Sequence, residues 1–215
     1  MKHSDADKRV GRRYFLTTAS AAALTGCGVT PNPAQADANA RTPGEPEGPF
    51  YPRNWGGDVD NNLLRLGDGD RYQPGIALLL KGTILRADGS PAAGARVAIW
   101  QTDHQGRYRH PDDAGEAPAS AGFQGYGQLV TGSDGGYQFV TIKPVKYGSR
   151  PPHVHFRIDD GDTRLTTQMY FPGETKEGGL FGRIASSVWA SDRSLLTATV
   201  QESADGLTAQ FNIRL

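Results

Sequence analysis

The 215-residue chain has a single cysteine, no net charge and no basic stripe. Because Cys27 is alone, no disulfide bond can form within the chain, so the fold must be held by its core or by a metal site. The 23 basic side chains are balanced by 23 acidic ones, which makes the chain a poor nucleic-acid binder. The length suits one well-buried domain with an N-terminal appendage and excludes two large domains.

The first 26 residues carry the ordered features of an export signal. Five basic side chains, including Arg12 and Arg13, precede a small, mostly apolar run at 17–24. This run is too short to span a bilayer as a stable helix. The order is typical of a twin-arginine signal, so we expect residues 1–26 to direct export of the folded protein. The alternative is a disordered tail with accidental arginines. The rest of the chain has 18 basic and 21 acidic side chains, a net charge of −3.

Two cleavage sites compete after this signal. Leu24 to Cys27 resembles a bacterial lipoprotein box, in which Cys27 would be lipidated and would anchor the protein to a membrane. Ala34 to Ala36 has the A-x-A form of an ordinary signal-peptidase site. Residues 27–47 are predicted to be a flexible tether. Both cleavages predict a protein of the cell envelope, the periplasm or the exterior.

Residues 48–215 have the pattern of a strand-rich domain. The whole chain contains 28 glycines and 14 prolines, which favour short strands joined by turns over long helices. Predicted strands cover residues 76–85, 95–101, 128–131, 137–142, 153–158, 165–171 and 207–215. The pattern predicts an all-β fold, an antiparallel β-sandwich with irregular loops and at most short helices.

Three local features make this prediction more specific. Ser133 to Gly136 has the composition of a hairpin connection between the strands on either side of it. Residues 183–189 are compatible with a short helix. The last strand alternates most clearly, and five of its side chains are predicted to face the core: Leu207, Ala209, Phe211, Ile213 and Leu215.

The most informative stretch runs from Tyr147 to Phe156 and contains a His-x-His pair. On an extended strand, His153 and His155 point to one face while Val154 and Phe156 point to the other. The two imidazoles stand about 7 Å apart along the strand, so both can reach one metal ion by leaning together. The alternative is two half-exposed histidines on a solvated strand face.

A second stretch, around Tyr108, adds a phenol to this pair. A strand, a turn and a return strand put Tyr108 at a loop end, where functional residues are commonly mounted. Tyr108 and Tyr147 together with the two histidines make a set of two phenolates and two imidazoles. Such a set suits a hard trivalent cation better than Zn²⁺, so Fe(III) is the natural candidate. A packed surface aromatic is the alternative for Tyr108.

Residues 48 to about 172 resemble, in colinear order, the intradiol ring-cleavage dioxygenases, with the protocatechuate 3,4-dioxygenase β-subunit type nearest in pattern. The residues that carry the resemblance are Gly48 to Tyr51, Trp100 and Gln101, Gly106 to His110, Asp134 to Phe139, Thr141 to Pro144, Tyr147, Arg150 to Phe156, and Thr167 to Phe171. The resemblance implies Fe(III)-dependent opening of a catechol-type substrate by O₂ to a cis,cis-muconate-type product. It also implies four ligands for the metal: Tyr108, Tyr147, His153 and His155.

The resemblance further assigns roles around the metal. Tyr147 would be the ligand that a binding catechol displaces, and Arg150 would place a permanent cation beside the substrate ring. Gln168 and Trp100 would line the pocket. The alternatives are a surface ion-pair arginine, a strand-face glutamine and a core tryptophan. Assembly into a homo-oligomer is compatible with the sequence.

One departure and two rival interpretations remain. Only Gly148 and Ser149 separate Tyr147 from Arg150, whereas better-known relatives have a longer loop there, so the pocket is expected to be more open and its substrate is unassigned.

The glycine turns are also similar to transthyretin-like and carboxypeptidase-regulatory-like sandwiches, which would make the protein a non-catalytic binding module. A weaker rival is a zinc hydrolase that uses four histidines: His104, His110, His153 and His155.

Overall fold

The computed structural model describes residues 40–54, 57–72, 74–115, 118–174 and 193–215. This part of the chain forms nine strands and one 3₁₀ turn, Ser194–Leu196. The strands are β1 Ala77–Leu85, β2 Arg96–Trp100, β3 Tyr126–Val130, β4 Gly136–Ile142, β5 His153–Asp160, β6 Thr163–Tyr170, β7 Thr199–Ser203, β8 Gly206–Gln210 and β9 Ile213–Arg214. None of the described residues belongs to a helix long and apolar enough to cross a membrane.

Two sheets pack as a sandwich, which confirms the predicted all-β class. One sheet has the order β4-β1-β8-β7, with β9 also paired to β1, and the other has the order β3-β2-β5-β6. All pairings in the second sheet are antiparallel. In the first sheet β1 runs parallel to both β8 and β9, so the sandwich is mostly rather than wholly antiparallel.

The core lies between the two sheets and is built from strand residues at alternate positions. On β5, Val154, Phe156 and Ile158 are completely buried and face the core, because side chains of an extended strand alternate between its two faces. Leu80 of β1 and Phe139 of β4 meet them from the other sheet in the same cluster. Burying each such side chain contributes roughly 1.5–3 kcal/mol. The outer face of β5 is thereby held on a rigid support.

The turn at 133–136 forms, but the predicted hairpin is wrong. Gly135 donates its N–H to the Gly132 carbonyl (3.0 Å), and Asp134 Oδ1 accepts the N–H of Gly136 (2.9 Å). The flanking strands β3 and β4 nevertheless belong to different sheets. Turn composition determines the local reversal of the chain, whereas the partner of each strand depends on packing between sheets.

The last predicted strand is interrupted at Phe211 and Asn212, although the predicted inward side chains are buried or, for Leu207, partly buried. The Phe211 N–H still donates to the Lys81 carbonyl (2.9 Å), and side chains supply further bonds at this point. The Tyr137 hydroxyl donates to the Phe211 carbonyl (2.6 Å), and the Thr83 N–H donates to Asn212 Oδ1 (3.1 Å). Strands β8 and β9 therefore keep one register along β1 on both sides of the break.

The first described residues lie along both sheets. Thr42 exchanges two hydrogen bonds with Arg214, one from each backbone N–H (3.0 and 2.9 Å). Further along, the Glu45 N–H donates to the Thr166 carbonyl (2.9 Å), and Thr167 Oγ1 donates to the Pro43 carbonyl (2.7 Å). Residues 42–46, which the sequence assigned to the tether, are thus attached to the sandwich. The predicted export signal, Cys27 and the helix at 183–189 lie outside the described residues.

Gly82 is a position where we expect a methyl group to be costly. A Cβ at Gly82 would lie 1.9 Å from the Phe211 carbonyl oxygen, which is backbone and cannot move aside cheaply. We expect Gly82→Ala to lower the free energy of unfolding by about 1–3 kcal/mol, the usual cost of overpacking a core. Urea denaturation would measure the loss.

Gly44→Ala is the matched control, because its added Cβ would lie at an ordinary contact distance, 3.7 Å from the Thr166 carbonyl oxygen. We expect this variant to stay within about 0.5 kcal/mol of the parent protein. Equal stabilities for the two variants would contradict the packing described at Gly82.

Candidate active site

The outer face of β5 carries the paired histidines in the middle of the second sheet. Across the register, His155 lies opposite Trp100 of β2 on one side and Gln168 of β6 on the other. His153 lies opposite Tyr170 of β6. Directly opposed residues of neighbouring strands share a face, so these five side chains form a patch on one side of the sheet. His153 and His155 are each 4% exposed, which excludes the half-exposed pair considered from sequence.

Tyr108 is carried to this patch by a tightly bonded loop after β2. Asp103 Oδ1 accepts the N–H groups of Gln105 (2.8 Å) and Arg107 (3.0 Å), which closes the turn. The Tyr108 N–H then donates to Asp113 Oδ2 (2.7 Å), while Asp113 Oδ1 pairs with the partly buried Arg107 Nη1 (2.7 Å). The predicted loop-end position of Tyr108 is therefore held by a network of carboxylate contacts.

Three donor atoms converge at the centre of the patch. Tyr108 Oη lies 3.1 Å from His153 Nε2 and 3.1 Å from His155 Nε2, and the two nitrogens are 3.1 Å apart. A cation roughly 2 Å from each atom, the usual metal–ligand distance, fits such a triangle when it sits just off the triangle's plane. The residues present therefore fit a metal with mixed oxygen and nitrogen ligands.

Burial sets the protonation states of these donors. Desolvation lowers the pKa of His153 from 6.5 to about 4, with an opposing contribution from its bond to the Pro151 carbonyl. Desolvation, together with His153 and Arg150, holds the pKa of His155 well below its usual value. Desolvation also raises the pKa of Tyr108 above its usual value. Both imidazoles are thus in the neutral form that binds metals, and Tyr108 would lose its proton only to a cation.

Tyr147 lies beside this triangle rather than within it. Its ring is edge-on to Tyr108, with centroids 5.4 Å apart and planes at 71°. Among the described residues, no hydrogen bond joins its hydroxyl to the three converging atoms. Phe50 packs against both phenols, stacked on Tyr108 (4.7 Å) and edge-on to Tyr147 (5.2 Å). The structure thus brings three of the four predicted ligands together and leaves the fourth adjacent.

The short segment after Tyr147 is a two-residue turn. Tyr147 and Arg150 exchange backbone hydrogen bonds in both directions (3.2 and 2.9 Å), and Gly148 has φ of 55°, a conformation that favours glycine. A Cβ at Gly148 would meet nothing within 4 Å. The departure noted in the sequence is therefore a tight, exposed turn that pairs a predicted ligand with the predicted cation.

Arg150 belongs to a polar network beside the histidines. Its Nη2 donates to Gln168 Oε1 (2.6 Å) and to the Tyr170 hydroxyl (3.1 Å), and Tyr170 donates in turn to Gln168 Oε1 (3.0 Å). Gln168 Nε2 donates to the Pro46 carbonyl (2.8 Å). This last bond fixes which end of the amide faces Arg150, so the N-terminal segment contributes directly to the arrangement of the network.

Trp100, the predicted pocket residue, lies against His155. Its side chain is 1% exposed, and its indole is stacked almost parallel on the His155 ring, with centroids 4.8 Å apart and planes at 9°. The indole is thus covered by its neighbours and packs against a histidine of the site.

The histidines of the rival zinc site are not assembled. His104 Nδ1 contacts the hydroxyls of Tyr72 and Ser120. His110 Nδ1 accepts the Asp112 N–H (3.1 Å). Within the described ranges, no group of three His, Cys, Asp or Glu side chains is gathered for a metal. The described part of the chain thus offers no support for the four-histidine zinc hydrolase.

Sequence reasoning missed Tyr170, Phe50 and Asp113 as parts of this site. A signal existed for Tyr170, because the period of two already put it on the face of Gln168. Phe50 stood within a recognised motif, yet its contact with two phenols depends on how the entry segment crosses the sheet. Asp113 carried no signal in the sequence, because it lies in an irregular loop that has no periodic pattern. Its partners, the Tyr108 N–H and the Arg107 side chain, come from an earlier part of the same loop.

Fold and site together define a β-sandwich protein with a buried centre of one tyrosine and two histidines suited to a metal. Residues 46–215 match the family model described as Dioxygenase. The chain belongs to the intradiol ring-cleavage dioxygenase family. The conclusion agrees with the resemblance seen in the motifs and does not favour a passive binding module.

Two of the curated relatives match part of the chain in sequence. The protocatechuate 3,4-dioxygenase beta chain of Burkholderia cepacia is 35% identical over 135 residues, which are 59% of this chain and 57% of that protein. Catechol 1,2-dioxygenase 1 of Acinetobacter lwoffii is 34% identical over 152 residues, 62% of this chain and 47% of the relative. The chain therefore spans about half the length of these curated relatives.

Solved structures extend the likeness over most of the described fold. The dioxygenase domain of a carbohydrate-binding fusion protein from Streptomyces sp. SirexAA-E has a TM-score of 0.61 and 26% identity, and covers 82% of this chain and 98% of that one. Catechol 1,2-dioxygenase from Pseudomonas arvilla C-1 has a TM-score of 0.59 and 27% identity, covering 81% of this chain and 62% of that one.

The lowered pKa values of the two histidines predict an acid-labile metal-free protein. The pKa of His153 is 6.5 in the unfolded chain and about 4 in the folded chain. Between these two pH values the unfolded chain binds protons that the folded chain does not. The two neutral imidazoles therefore make their full contribution to the free energy of unfolding above about pH 6.5. That free energy falls as the pH decreases, by up to about 1.4 kcal/mol per pH unit for each imidazole. Urea midpoints of chelator-treated protein between pH 7.5 and 5 would measure the slope.

His155→Asn serves as the comparison, because it removes one of the two titrating groups and leaves the carboxylates unchanged. Its pH dependence should be about half as steep over the same interval. Identical slopes for the parent and the variant would mean that His155 is not buried in its neutral form.

Proposed function

We propose that the protein is an Fe(III)-dependent intradiol dioxygenase that opens a catechol-type aromatic with O₂ and releases a cis,cis-muconate-type product. Cleavage breaks the carbon–carbon bond between the two hydroxylated carbons, and both atoms of O₂ enter the product as carboxyl oxygens. Family membership supports the reaction class. The single observation that carries the assignment to this chain is the convergence of Tyr108 Oη, His153 Nε2 and His155 Nε2 at 3.1 Å.

The proposed ligands are Tyr108, Tyr147, His153 and His155. Two phenols and two imidazoles favour a hard cation over the softer ions that cysteine-rich sites select. Bound there, Fe(III) would supply the Lewis acidity that draws electron density from the substrate and opens it to O₂. The neutral state of both imidazoles supports this assignment, since a protonated ring has no lone pair to offer.

Tyr147 is proposed to take up one of the two hydroxyl protons that a chelating catechol must lose. A phenolate oxygen at Tyr147 would accept that proton at its Oη as a general base. Three features support this role for Tyr147: it is half-buried, it stands beside the converging atoms, and it borders an exposed turn where Gly148 has open space around it. Tyr108 is fully packed, which suits a ligand that stays in position.

Arg150 is proposed to stabilise negative charge that develops on the substrate. A guanidinium remains charged at every physiological pH, and a preorganised cation in a buried site acts strongly on nearby charge. Its bonds to Gln168 and Tyr170 hold the group without neutralising it, because both partners are uncharged acceptors. Gln168 would thus serve the reaction by keeping Arg150 in place.

The predicted export signal extends the proposal, with lipidation of Cys27 or cleavage after Ala36 as the alternative maturation steps. The protein would then act on catechols in the cell envelope or outside the cell, after folding around its metal in the cytoplasm. Recovery of the protein with intact Met1 from the cytoplasm alone would contradict export.

The proposed reaction is tested by oxygen uptake with purified, iron-quantified protein. We expect uptake with at least one member of a panel of catechol, protocatechuate, hydroxyquinol and alkylcatechols, and an ultraviolet product spectrum of the muconate type. Protein stripped of iron is the control and should be inactive. Products of extradiol opening, or uptake that does not scale with iron content, would disprove the proposal.

Colour tests the ligand set separately from activity. Tyrosinate-to-Fe(III) charge transfer should make the iron-loaded protein red-brown, and Tyr147→Phe should shift or weaken the visible band because one phenolate is lost. Tyr126→Phe is the control, since Tyr126 lies at the start of β3 and is none of the proposed ligands. A colourless protein with stoichiometric zinc and full activity would refute these ligands.

A further inference from the structure

The two histidines of the site are supported in different ways. His153 Nδ1, on the far side of the ring from the converging atoms, is bonded to the Pro151 carbonyl (2.7 Å). A bond of this kind usually orients a metal-binding imidazole and strengthens it as a donor. His155 Nδ1 is equally buried but has no hydrogen-bond partner among the described residues. On the Nδ1 side of the ring, the orientation of His155 must therefore come from packing.

Trp100 provides that packing. It stands directly opposite His155 across β2 and β5, and its indole covers the imidazole at 4.8 Å with planes 9° apart. A parallel ring at this distance blocks rotation of the imidazole about its Cβ–Cγ bond, because tilting either edge would drive it into the indole face. Trp100 Nε1 also lacks a partner in this part of the chain, so the indole acts here through its face alone.

Trp100 also contacts a third aromatic ring. Tyr51 meets the indole edge-on, with centroids 5.0 Å apart and planes at 88°, and the Arg157 guanidinium lies 5.0 Å from the Tyr51 ring centroid. Tyr51, Trp100 and His155 are thus three aromatic rings in successive contact. Gly48, three residues before Tyr51, approaches His155 from the edge, since a Cβ there would lie 3.5 Å from His155 Cε1.

We propose that Trp100 is a positioning residue that orients His155 by stacking, in place of the outer hydrogen bond that orients His153. The inference rests on the proposed function, because it takes His155 as a metal ligand. It makes the two histidines unequal: His153 is fixed by a bond, and His155 is fixed by an aromatic face. Loss of the indole should therefore weaken metal retention through His155 while leaving the His153 contact to Pro151 intact.

The test compares Trp100→Leu with Trp100→Phe in iron-loaded protein. Loss of an outer support typically costs 10–100-fold in metal affinity, so Trp100→Leu should release iron to a chelator about 10-fold faster or more and should shift the visible band. Trp100→Phe keeps a ring against His155 and should stay within about twofold of the parent rate. Band decay after chelator addition measures both.

Phe139→Leu is the matched control for general loss of packing. Phe139 is completely buried on β4 of the other sheet, where its ring packs near that of Tyr137 with centroids 6.3 Å apart. It should destabilise the fold in urea without altering band position or iron release. Equal effects of Phe139→Leu and Trp100→Leu, or parent-like iron release by Trp100→Leu, would overturn the proposal.

A measurement on metal-free protein separates this inference from the proposed function. Indole ring currents should move the carbon-bound imidazole protons of His155 upfield relative to those of His153, with assignment from His155→Asn. Trp100→Met, a flexible replacement that fills space, should remove the shift. If the parent protein shows this shift but takes up no iron, the proposed metal is refuted and the positioning role of Trp100 stands. Absence of the shift would refute the positioning role itself.

Discussion

Two imidazoles and a phenol are kept out of water with their polar atoms turned towards one another, and this arrangement governs the rest of the site. Burying an unpaired polar group costs roughly 1–3 kcal/mol, and burying a charged one costs far more. Tyr108, His153 and His155 limit that cost by sharing contacts at 3.1 Å and by remaining uncharged. A cation at their centre would satisfy all three.

The sandwich provides the rigidity that this arrangement needs. β5 is the strand between β2 and β6, so its outer face is bordered by two neighbours in register, and its inner face is locked by completely buried apolar residues. A side chain on such a strand has little freedom to drift from its partners. Tyr108 comes from a loop, and there the buried Asp113 carboxylate replaces the sheet as its support.

The segment from Thr42 to Tyr51 joins the N-terminal end of the described chain to the site. It is bonded to the sandwich at Thr42 and Glu45, orients Gln168 through the Pro46 carbonyl, and lays Phe50 against both phenols. These contacts make the entry motif Gly48 to Tyr51 part of the site itself. They also explain why a segment that is rich in proline and glycine is ordered here: its few polar groups are used in bonds to the sheets.

The sequence by itself determined the features that depend only on residues close together in the chain, namely the faces and the ends of the strands. The period of two assigned His153 and His155 to one face and Val154 and Phe156 to the other, and the glycine turns marked the strand ends, because backbone geometry and turn chemistry are local. The tertiary structure alone decided that β3 and β4 separate into different sheets, that the histidine face is buried, and that Phe50 lies against both phenols. It also decided that the Trp100 indole stacks on the His155 ring. These outcomes depend on which surfaces meet when the two sheets and the N-terminal segment pack together, and such contacts between distant parts of the chain leave no periodic trace in the residues that make them.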